Sequence, residues 1–181
     1  EMLEQARARA QEIEDLKRAL NSPDQNLRLA TFEIMMQSKQ DSIRALALAT
    51  GLASADRLLQ ALAFRTAVMG LEQIHLTLAV DESQPDEIQE SSRARLASLG
   101  DQYTINIGHR DPARGIFALS KQYAASGSKY LGEVTGTRLT VVWDGGHTLA
   151  ELELDGDDAM RGTIRFTRKG VQQFDASARL R

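Results

Sequence analysis

Apolar residues keep a three-and-four spacing through the first seventy positions and alternate over Ile74–Val80 just after Gly70, so the pattern turns from helical to stranded at about that residue. Within the first stretch a unit recurs every 16 residues, three times over. It opens on Leu20, Met36 and Leu52, and a serine follows two residues later in each copy: Ser22, Ser38 and Ser54. Leu27, Ile43 and Leu59 come next, each followed by a long polar side chain, Arg28, Arg44 or Gln60, and then by Phe32, Leu48 or Phe64. The spacing predicts helices near 24–37, 41–52 and 56–69, joined by turns of about four residues. Leu27, Ala30 and Ile34 in the first helix, and Leu59, Leu62 and Ala63 in the third, take the spacing of a buried face. Asp24, Asp41 and Asp56 stand at or near the helix starts, where a carboxylate can accept from free backbone N–H groups.

Taken two helices at a time, the S-x-D opening, the apolar-Arg pair and the alanine-rich helix make a unit of 32 residues. Over about residues 20–69 this resembles a short HEAT-like α-helical repeat, one and a half units long; a plain three-helix bundle is the other reading of the same runs. The resemblance implies a scaffold that binds other proteins, with Arg28, Arg44 and Gln60 as the protein-binding positions. Ahead of the repeat, Leu3, Ala6, Ala10, Ile13, Lys17 and Leu20 follow a heptad for about two and a half turns of the pattern. That helix either packs on the repeat or forms the end of a longer, self-associating helix. The chain opens at Glu1 rather than Met, which leaves room for an upstream segment.

Beyond residue 70, Ile74, Leu76, Leu78 and Val80 alternate with polar residues, the period of a half-buried strand. Glycine supports the change, with 2 in the first 70 residues and 11 in the remaining 111, where turns must now be frequent. Residues 85–99 read as one helix, from Pro85 to Gly100. Seven strands are then predicted from Tyr103 to Leu180, with turns at Asp111-Pro112, Ser126-Gly127, Gly136, Gly145-Gly146, Asp155-Gly156 and Lys169-Gly170. Such short connections force antiparallel neighbours. The expected architecture is α+β: an antiparallel helical repeat segment over 1–70, then over 71–181 an antiparallel β-barrel or β-sandwich domain with one helix.

Composition narrows the function. With 42% apolar and 26% charged residues in 181, the chain can bury a core. A net charge of -3 and 5% aromatics give neither the basic footprint nor the stacking platform of a nucleic-acid binder. The absence of cysteine excludes thiolate catalysis, disulfides and cysteine-ligated metals. The longest uncharged run of the helical part, Ala45–Ala55, falls well short of the ~20 residues that cross a bilayer. Neither a cofactor nor a metal is expected. Gly127–Gly132 spaces its glycines like a phosphate loop, but Glu133 and Val134 stand where Lys and Ser/Thr are required. The acidic run Glu151–Asp158 lacks the ligand series of an EF-hand. No H-E-x-x-H or G-x-S-x-G motif occurs.

One local group stands out, Trp143 with His147 across the Asp144-Gly145-Gly146 turn, which together with Tyr130 and Tyr103 could line the rim of a β domain and stack on an apolar or glycan ligand. Arg161 and Arg165 are expected to pair across strands with Glu151 and Glu153. Two functions follow: a non-enzymatic protein-binding or assembly module, or a small-ligand carrier using the interior or rim of the β domain. A hydrolase using His147 and Asp144 is the third.

Overall fold

The computed structural model describes residues 1–119, 131–156 and 158–180. It divides into two compact units, Glu1–Phe64 and Arg65–Arg181. The architecture is α+β, and among the described residues four of the five α-helices come first.

The helices are α1 (Met2–Leu20), α2 (Gln25–Met36), α3 (Asp41–Leu52) and α4 (Arg57–Gly70). Their repetition has a local cause. Each serine of the repeat folds the turn before a helix, its hydroxyl accepting from the N–H two residues on: Ser22 from Asp24 (3.2 Å), Ser38 from Gln40 (3.2 Å) and Ser54 from Asp56 (3.1 Å). The residue donating that N–H stands at the capping position of the helix that follows. Asp24 accepts from the N–H of Asn26 (2.9 Å) and Leu27 (3.4 Å), and Asp56 from that of Leu58 (3.0 Å). In the middle copy the capping position belongs to Gln40, which makes no side-chain cap, and not to Asp41. Asp41 lies one step inside the helix and pairs with Arg44 instead.

Phe32, Met35, Ile43, Ala47, Leu52, Leu59, Ala63 and Phe64 form the core of the first unit. Gly51 lets two helices close up: a Cβ there would stand 2.7 Å from that of Ala63 and 3.1 Å from the Phe32 ring. The buried face expected of α2 is corrected. Thr31, Phe32 and Met35 point inward, whereas Leu27 is 46% and Ile34 66% exposed and Ala30 is exposed as well. The bulkier Phe32 and Met35 make a second apolar stripe on the same helix, and it is this one that the neighbours bury. In α1 the heptad seam is divided: Ile13 and Lys17 are half-buried and Leu20 fully buried, while Leu3, Ala6 and Ala10 are exposed. Lys17 is tolerated because its ammonium reaches Glu14 at 3.0 Å.

Among the described residues the second unit is a nine-stranded antiparallel sheet with α5 (Asp86–Leu99) inserted between its first two strands. The strands are β1 (Gln73–Val80), β2 (Gln102–Asn106), β3 (Arg110–Asp111), β4 (Ile116–Phe117), β5 (Gly132–Thr135), β6 (Arg138–Trp143), β7 (Thr148–Asp155), β8 (Ala159–Phe166) and β9 (Gln172–Arg179), in the spatial order β2-β1-β9-β8-β7-β6-β5-β4-β3. β2 and β3 lie at opposite ends of that order, yet only residues 107–109 separate them. Eight strand spacings in a flat sheet would span ~38 Å, whereas three linking residues reach at most ~14 Å, so the sheet must curl into a half-barrel. Gly162 permits the close approach of β8 to β7, since a Cβ there would fall 1.9 Å from the Glu151 carbonyl oxygen.

Alternation decides the faces. Ile74, Leu76, Leu78, Ile105, Leu139, Val141, Ala150, Leu152, Met160, Ile164, Phe174 and Ala176 point inward. Ser92 of α5 closes the ladder where β1 ends: its hydroxyl donates to the Gln173 carbonyl (3.2 Å) and accepts from the Gln173 N–H (3.1 Å). The cross-strand charge pairs also differ from expectation. Arg161 does stand opposite Glu153, but its guanidinium turns to Asp155 (2.6 Å), and Glu153 is taken by Arg138 of β6 (3.1 Å). Arg165 faces Leu149 and Glu151 faces Thr163, because the hairpin register sets Arg165 and Glu151 two residues out of line.

Candidate functional site

The repeated polar residues of the helical unit serve its turns. Arg28 and Arg44 each donate from their guanidinium to the carbonyl of the serine six residues back, Ser22 and Ser38 respectively. Gln60 donates to the Leu52 carbonyl at 3.0 Å. Arg28 also bridges layers, with Nε 3.0 Å and Nη2 2.6 Å from one oxygen of Asp56. That contact holds the Asp56 carboxyl below its ordinary value of 3.8. All three positions singled out by the resemblance are thus engaged with the fold itself. What α2 leaves to solvent is the apolar stripe of Leu27, Ala30 and Ile34, and Leu58 at the start of α4 is 53% exposed.

In the β unit the curl brings distant residues together. Tyr103 of β2 and Trp143 of β6 approach to 6.0 Å between ring centroids, and Tyr103 stands edge-on to Phe166 of β8 at 5.4 Å. Phe166 continues the cluster to Phe174 at 6.0 Å. The Arg95 guanidinium of α5 lies 4.0 Å above the Phe166 ring and donates to the Gln172 amide oxygen (3.3 Å). Tyr103 and Trp143 are half-buried. Burial pushes the Tyr103 phenol above its ordinary value, against the opposing pull of the Trp143 indole and of Arg95. His147 closes the 3-10 turn Asp144–Gly146, exposed, with Nδ1 3.1 Å from the Thr167 hydroxyl. Asp144 in that turn pairs with Arg168 at 2.8 Å rather than with His147. Of the four rim residues expected, Tyr103 and Trp143 meet, His147 sits on the adjoining turn, and Tyr130 lies outside the described residues. The glycine-spaced segment at 127–130 lies outside them too.

Two features escaped the sequence pattern. The first is the Phe166–Arg95 stack, which joins elements whose spacing in the chain carries no signal. The second is a trough of about 720 Å³ on the outer face of the sheet, lined by Gln73, His75, Thr77, Gln102, Arg161 and Ser177 among others. His75 there holds the Thr104 hydroxyl at 3.2 Å. Nearby, burial and then the charges of Asp81 and Glu82 push the Asp175 carboxyl up. Asp81 itself is held low, first by the Ser83 hydroxyl and then by Gln173. Among the described residues no group of three His, Asp or Glu side chains is placed to hold a metal ion, and no helix is long and apolar enough to cross a membrane. The chain matches no family model, and comparison with characterised proteins and with solved structures gives no match.

Proposed function

We propose that this chain is a non-enzymatic assembly module whose helical unit makes the protein contacts, through the exposed face of α2 rather than through Arg28, Arg44 and Gln60. The observation that carries this reading is the Leu27–Ile34 stripe. Leu27 occupies the repeat position that is fully covered at Ile43 and Leu59, and an apolar stripe left open on a helix otherwise built to be covered is a docking surface. The test is a double substitution, Leu27→Glu with Ile34→Glu, in the chain tagged in its native host. Polypeptides retained by the wild type should be released by this variant and kept by a Thr163→Glu control on the sheet; equal retention by both would refute the reading.

A second reading rests on the meeting of Tyr103 and Trp143. Two half-buried rings beside a guanidinium and an amide can take an apolar or glycan ligand at the rim of the half-barrel. Trp143 is the single tryptophan, so its fluorescence reports directly on that rim. Native mass spectrometry of the chain purified from its host should show an adduct lost on gentle activation, and Tyr103→Ala should remove it.

A further inference from the structure

Resting on the assembly reading, we infer that the occupant of the open α2 face is a second copy of this chain, docked through the N-terminal seam of its α1. The repeat itself defines what is missing. Leu27, Ile43 and Leu59 are one position in three copies, 46%, 4% and 0% exposed. The start of each later helix is reached by the helix two places earlier: Arg9 of α1 bonds to Gln40, and Gln25 and Arg28 of α2 bond to Asp56. Helices joined by four-residue turns run antiparallel to their neighbours and parallel to the next but one. The place beside α2 therefore calls for a helix parallel to α2.

α1 offers such a helix to another copy. One 16-residue step back from the start of α2 is residue 9, but α1 begins at Met2, so seven residues extend the helix where the repeat would set a turn. This extension carries Met2, 85% exposed, and Leu3, 65% exposed, followed by exposed Ala6 and Ala10 at helical spacing. It is an apolar seam left open within its own unit. In a two-fold dimer with its axis perpendicular to the helices, the partner's α1 runs antiparallel to α1, and hence parallel to α2, as the vacant place requires. Charge agrees. Arg7 lies on the extension and Glu33 beside Ile34, opposite in sign, and neither has an ion-pair partner among the described residues. Small Ala6 and Ala10 allow close approach of the two helices.

Each dimer then holds two identical seam-to-face contacts, which sets the experiment. In the purified full chain, Leu3→Glu and Ile34→Glu should each weaken self-association by about 100-fold or more, because each alters both contacts. An equimolar mixture of the two variants should recover a heterodimer, since one seam and one face in it remain wild type. Self-association untouched by both substitutions, or a chain that stays monomeric up to about 1 mM, overturns the inference. In parallel, a benzoylphenylalanine cross-linker at position 34 of the chain in its native host should give an adduct of twice the chain mass, joined to residues 2–10 of another copy. Cross-linking to a different polypeptide overturns the second copy but keeps the assembly reading. No cross-link at all overturns both.

Discussion

The repeated polar side chains of the helical unit serve first the turns of their own copies. Ser22, Ser38 and Ser54 turn the chain, and Arg28, Arg44 and Gln60 reach back to a carbonyl six to eight residues earlier. The β unit works the other way: Tyr103 and Trp143, forty residues apart in sequence, touch only because nine strands curl. A strict repeat in this sequence is thus first of all a repeat of folding devices. On the proposed function, the positions left for a partner are those where the repeat stops being satisfied, as at Leu27, 46% exposed. In the curled sheet, by contrast, candidate ligand contacts come from residues whose spacing in the chain carries no pattern.

The contrast can be broken most strongly at Gly162. Its Cβ would meet the Glu151 carbonyl at 1.9 Å, so Gly162→Ala should cost about 4 kcal/mol and abolish the near-ultraviolet signal of the Tyr103–Trp143 cluster, read by circular dichroism and denaturant titration. Retention of that signal at wild-type stability would mean that the sheet does not depend on this close approach of β8 to β7. Ser92→Ala comes next. It leaves the Gln173 N–H and carbonyl without their α5 partner, a loss of about 2 kcal/mol in urea unfolding.

Smaller effects sharpen the repeat. Asp24→Ala should cost about 1 kcal/mol, whereas Gln40→Asp, which supplies the missing cap in the middle copy, should stabilise the chain by about 0.5 kcal/mol. If Gln40→Asp destabilises instead, the three helix starts are not equivalent. The last effect concerns acid. Arg28 holds Asp56 below 3.8, so this contact contributes stability above that pH and loses it as the pH falls through the lowered folded value. Helix content followed by circular dichroism from pH 5 downward should therefore fall less steeply in Arg28→Ala than in wild type, starting from a lower stability at neutral pH.

Much of the fold was legible because it is locally encoded. Turn serines, glycines and alternating strands mark their own ends, and helix 85–99 is realised as α5, Asp86–Leu99. What pattern could not choose was which of two apolar stripes on α2 would be buried. Leu27, Ala30 and Ile34 are spaced as well as Thr31, Phe32 and Met35 are, and only the packing of neighbouring helices selects the second. Charge pairing across β7 and β8 failed for a similar reason: register places Arg161 opposite Glu153, but long side chains choose among several carboxylates within reach. Tyr103 and Trp143 were named from residue type and turn chemistry. Their meeting with Phe166 and Arg95 depends on the curl, which no local spacing records.

Docking of a second copy of this chain on the exposed face of α2 is tested most directly by sedimentation equilibrium of the purified chain. A mass of two chains is expected for the wild type and of one chain for Leu27→Glu with Ile34→Glu, with the helical circular dichroism of the fold retained because both side chains are exposed within the single chain. Equal masses for wild type and variant, whether one chain or two, would contradict it.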